Sequence, residues 1–103
     1  MEKTREYYLE KLGIIQSLCR SLIGKWEDAE GMLEIFSGPY VTKESIDGMI
    51  EVFENVYRSV KDDEIKNKMS KALGELRAIQ ERERAERALE AIEAERMIEK
   101  EMV

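Results

Sequence analysis

The chain has 103 residues, enough for one domain, with 23 acidic against 17 basic side chains and a formal charge of −6. It contains no histidine, one cysteine and one proline. These numbers exclude a Ser-His-Asp triad, a histidine-activated thiol, an imidazole metal ligand and an internal disulfide.

The acidic balance argues against direct nucleic-acid binding, which needs clustered cations. No apolar run approaches the roughly 18 residues of a membrane span, so no membrane partner is expected. The lone thiol, Cys19, suits a reducing, cytoplasmic compartment. The N-terminus runs from Met1 into tyrosines without the apolar stretch of a signal peptide. Glu, Lys and Arg are abundant while Gln, Asn and Thr occur twice each, a usage that hints at a thermophilic source. No cofactor is implied.

In chain order, the first segment carries apolar residues at Tyr8, Leu12, Ile15, Cys19, Leu22, Trp26, Ala29, Leu33 and Phe36. The spacing alternates between four and three without a slip, which is the a/d pattern of a heptad. It predicts one helix over about residues 3–36, on the order of 50 Å long at 1.5 Å per residue. A hinge at Gly24 or Gly31 is the alternative, and it would close the chain as a four-helix bundle.

Ser37-Gly38-Pro39-Tyr40-Val41 reads as a loop. Gly38 is expected in the left-handed conformation that ends a helix, with Pro39 blocking its continuation. Thr42 follows as an N-cap with Glu44 in the first turn. The second helix carries Ile46, Met49, Phe53, Val56 and Val60 at heptad spacing. Asp62 is a cap for the third, which continues the stripe through Ile65, Met69, Ala72, Leu76 and Ile79. The next heptad positions are Glu83, Glu86, Glu90 and Glu93, so the apolar stripe is expected to stop at Ile79. The helix itself has no reason to stop, because residues 80–103 contain no Gly or Pro and carry eight acids and five bases.

The expected fold is therefore all-α. It is a three-helix antiparallel, coiled-coil-like bundle with a long first helix and a long charged C-terminal helix extending beyond the core. A bundle domain spans 1–79 and a charged extension spans 80–103. Nine apolar layers on the first helix face five on each of the others, so its N-terminal half lacks a partner within the chain. An apolar stripe of that size calls for a second copy or another helical protein.

Two patterns carry chemistry. Glu27 and Glu30 form one ExxE pair, and Glu44 and Asp47 an ExxD pair on the next helix. Two such pairs could hold Mg²⁺ through oxygen ligands. The spacing, over about 20 residues, resembles that of the MazG-type all-α nucleotide pyrophosphohydrolases. The resemblance implies Mg²⁺-dependent hydrolysis of a nucleotide. Gly38-Pro39 lies between the pairs, and Glu44 and Asp47 occupy a first helical turn where acids assist capping.

The second pattern is the stripe itself. Tyr8, Leu12, Ile15, Cys19, Leu22 and Trp26 on the first helix, with Leu89, Ile92 and Met97 on the last, are the expected interface residues. The preferred reading is a non-catalytic helical interaction or assembly module, homodimeric through these stripes. A small acidic inhibitor or a chaperone of another protein is an alternative of the same kind. The pyrophosphohydrolase is the enzymatic one.

Overall fold

The protein is described by a computed structural model covering residues 2–102, with side chains described from Arg5 to Arg96. Four helices follow one another: α1 Glu2–Ser21, α2 Ala29–Phe36, α3 Lys43–Ser59 and α4 Asp63–Met102. The described residues contain no strand.

The expected single helix over 3–36 is two helices, and the expected three-helix bundle has four. The break falls at Gly24, which has φ +86° and is the one described residue with positive φ. The Leu22 carbonyl accepts from the amides of Lys25 at 3.0 Å and Trp26 at 2.9 Å, which closes a tight turn. A Cβ at that φ would be strained, and glycine has none. Gly38, expected in the left-handed region, is not there.

The heptad nevertheless survives the break. Leu22, Trp26 and Ala29 are all buried. The pattern marks which side chains face inward, and a turn of suitable length presents them as well as a helix does.

Both remaining caps form as expected. Thr42 Oγ1 accepts from the Ser45 amide at 3.1 Å, and Ser45 Oγ accepts from the Thr42 amide at 2.9 Å. This reciprocal capping box satisfies two donors at the start of α3. Asp62 Oδ1 accepts from the Ile65 amide at 3.1 Å and starts α4, whose first turn holds Asp63 and Glu64.

α2 folds back on α1, with Gln16 Nε2 donating to the Phe36 carbonyl at 2.8 Å. The loop then returns to the first turns of α1, where the Tyr8 hydroxyl donates to the Val41 carbonyl at 3.0 Å. α3 runs parallel to α1, and α4 runs antiparallel to both. Lys68 Nζ donates to the Ser21 carbonyl at one end of the α1–α4 pair, and Arg82 meets Glu10 at the other.

Ile15 and Cys19 of α1, Leu22 of the turn after it, Ile46 and Phe53 of α3, and Met69 and Leu76 of α4 are fully buried. Trp26 and Phe53 meet edge to face at 6.2 Å between ring centroids. Each such side chain contributes roughly 1.5–3 kcal/mol on burial. With α2 folded back and α4 lying along α1, the unpartnered N-terminal half expected for the first helix does not exist. Ile15 and Leu18 are buried there, and Tyr8 and Leu12 pack against the core.

Candidate functional site

The sequence places six candidate interface residues on the first stripe, and the fold consumes them. Ile15, Cys19, Leu22 and Trp26 lie in the chain's own core, with Tyr8 and Leu12 packed on it. The first four are taken up by the chain's own core, while Tyr8 and Leu12 stay half-buried at its edge. Burial also pushes the Cys19 thiol up to about 11, which keeps it protonated and unreactive at neutral pH.

The two described candidates on α4 behave differently. Leu89 is 59% exposed and Ile92 46%. Met97 lies outside the residues whose side chains are described. Leu89 and Ile92 stand one turn apart on a helix that has left the bundle, accompanied by exposed Ala85, Ala88 and Ala91. They form an apolar face on an otherwise charged arm.

The base of that arm is held by a cluster absent from the sequence reading. Lys11 of α1 is 2% exposed. Its ammonium lies 2.6 Å from Glu83 Oε1 of α4 and 3.1 Å from Asp47 Oδ1 of α3. Glu83 is itself buried. Its Oε1 has no aligned hydrogen-bond donor among the described residues, so its approach to Lys11 is an ion pair rather than a well-directed hydrogen bond. Arg87, one turn on, stands 3.6 Å from Glu83 Oε2.

A lysine taken out of water is costly unless it is paired, and here two carboxylates on two other helices offset the loss. The cluster thus ties α1, α3 and α4 together where the arm begins. The apolar stripe does end at Ile79, as expected, and the next heptad position, Glu83, still faces inward. The signal was available. Lys11 precedes Ile15, Leu18 and Leu22 on one helical register, and Glu83 follows Ile79 on another. Opposite charges at the ends of two facing apolar registers are an ion pair in waiting.

A second clamp lies beside the first. Arg82 Nη2 is 3.1 Å from Glu10 Oε2, and its guanidinium sits 5.7 Å from the Tyr7 ring centroid. A hydrogen bond from the Tyr7 hydroxyl to the Glu86 carboxylate, aided by partial burial, pushes the phenol up to about 12. Exposed contacts of this kind are screened by water and contribute little, whereas breaking the buried Lys11 group would leave an uncompensated charge.

The carboxylates of the ExxE and ExxD pairs do not assemble. Glu27 lies in the turn after α1, and Glu30 begins α2. Glu44 is exposed in the first turn of α3, while Asp47 faces Lys11 midway along α1. Among the described residues, no three acidic or thiol side chains converge in a way that could hold a metal ion. No described helix is long and apolar enough to cross a membrane.

One further surface stands out. A groove of about 720 Å³ follows the seam between α1 and α4. Its floor includes Ile14 and Leu18 of α1 and Ala72 and Ile79 of α4, with Gly13 and Ser17 keeping the α1 wall low.

No protein-family model, no curated protein and no solved structure matches this chain. The resemblance to the pyrophosphohydrolases therefore rests on the spacing of four carboxylates alone.

Proposed function

We propose that this protein is a non-catalytic helical assembly module that associates with a second copy of itself through the arm of α4. The observation that carries this reading is the exposure of Leu89 and Ile92 on a helix clamped at its base by the Lys11 cluster. Paired apolar residues on a preformed helix lose little freedom on binding, and their burial supplies the driving force. The mixed charges along the arm set register and partner choice. This moves the association surface from the first stripe, which the core uses, to the last helix.

The test is absolute mass by light scattering across a range of concentrations. The wild type is expected at twice the 12.0 kDa of one chain. Leu89→Glu combined with Ile92→Glu is expected to give the single-chain mass with unchanged helical content, since neither residue supports the bundle. A wild type that stays at the single-chain mass at every concentration overturns the reading.

A further inference from the structure

The arm exposes Leu89 and Ile92, and a groove open to solvent runs between α1 and α4. We propose that each groove receives the α4 arm of the second copy, so that the two chains exchange arms reciprocally about a two-fold axis. The inference rests on the assembly reading above and assigns its receiving site.

Four observations carry it. The groove is bounded by Arg82 and Glu10 at one end and by Ser21 and Lys68 at the other. Glu10 to Ser21 spans about 16 Å of α1, or three helical turns. The arm from Arg87 to Met102 offers about 24 Å of helix, enough to fill it. Size therefore matches.

Shape matches too. Gly13 and Ser17 stand one turn apart on the α1 wall, and Ala78 lies on the α4 wall; all three are exposed. A Cβ added at Gly13 would meet nothing within 4 Å, so no neighbour inside the chain requires a glycine there. A glycine in a helix interior is destabilising, and a low wall is what lets another helix approach closely.

Charge points the same way. Arg82 with Glu10 at one end of the groove and Lys68 with Glu64 at the other are already ion-paired. That leaves Lys71 as the rim cation open to an arm carboxylate, with Glu75 one turn away. The arm from 87 to 102 carries five carboxylates against three cations.

Finally, the topology closes. The arm leaves the bundle at the Arg82 end of the groove and continues the line of α4. Two copies with antiparallel α4 helices therefore lay each arm over the other's groove, using the same surface twice. A reciprocal contact of this kind stops at two chains and does not propagate.

The experiment uses the full chain with Cys19→Ala as background. One preparation carries Ser17→Cys in the groove and another carries Ile92→Cys on the arm. The two are mixed and treated with a short bismaleimide. A covalent heterodimer is expected. Arg58→Cys, exposed on α3 away from the groove, is expected to give none with Ile92→Cys. Independently, Ser17→Glu with Ala78→Glu places carboxylates in the groove at exposed positions. It is expected to raise the dimer dissociation constant at least tenfold while leaving helical content, and the unfolding midpoint measured at concentrations where both proteins are single chains, unchanged.

A dimer that yields no Ser17–Ile92 cross-link and ignores the two groove carboxylates overturns the groove assignment and leaves the assembly reading standing. A chain that never exceeds its single mass overturns both.

Discussion

Lys11 is the residue on which the arrangement of the bundle's end turns. A lysine 2% exposed is tolerated because Glu83 and Asp47 approach it from two other helices. Asp47 is the more exposed of the two carboxylates, so it keeps part of its hydration and contributes less. Removing Glu83 should therefore be costly. Glu83→Ala is expected to destabilise the fold by about 3 kcal/mol, because it leaves a buried ammonium with one solvated partner. Lys11→Met combined with Glu83→Leu removes both buried charges and should recover most of that loss. The midpoint of urea unfolding for the two variants checks this. Equal losses for both would show that packing, rather than charge, sets the cost.

At the scale of elements, the turn after α1 decides the architecture. A continuous helix through residue 24 would carry Ala29, Leu33 and Phe36 away from the rest of α1. The turn reverses the chain, and Phe36 ends beside Gln16. Gly24→Ala places a Cβ at φ +86° and is expected to destabilise the fold by about 1–2 kcal/mol. Thermal unfolding would show it. A neutral or stabilising Gly24→Ala would mean that α1 tolerates continuing through the turn. At the other end of the chain, α4 runs on for the opposite reason: nothing between 80 and 102 breaks a helix, and the described side-chain ties from α1 to α4 reach as far as Glu86.

The whole molecule is consequently elongated, with extents of 63 × 28 × 15 Å and a Cα radius of gyration of 17.4 Å. A compact domain of this length would have a radius of gyration of about 13 Å. The excess comes from the arm. Small-angle scattering on the single-chain Leu89→Glu, Ile92→Glu variant is expected to give a radius close to 17.4 Å. A value near that of a compact domain would show α4 folding back on its own bundle. The elongated shape also gives the assembly reading its physical basis, because a clamped helix projecting into water exposes apolar area that a second chain can cover.

The all-helical class, the loop at residues 37–41, the caps at Thr42 and Asp62 and the inward-facing residues were legible in the sequence. Each depends on spacing along one helix or on a side chain bonding a backbone group three residues away. Helix number was legible only as two alternatives, a continuous helix or a hinge at Gly24 or Gly31, because a 4-3 apolar pattern records burial and is indifferent to whether the backbone between two buried residues is a helix or a turn; the structure takes the Gly24 hinge. What covers the stripe was not legible for the same reason: periodicity shows that Ile15, Cys19 and Leu22 must be covered, and only the folded chain shows them in its own core. Lys11 and Glu83 are 72 residues apart, and neither is exceptional alone in a chain so rich in charge. The pair acquires meaning when three helices bring the ammonium and two carboxylates within 3.1 Å. Local interactions are written in neighbouring residues, whereas the desolvation that makes a charge structural depends on which distant segments exclude the water.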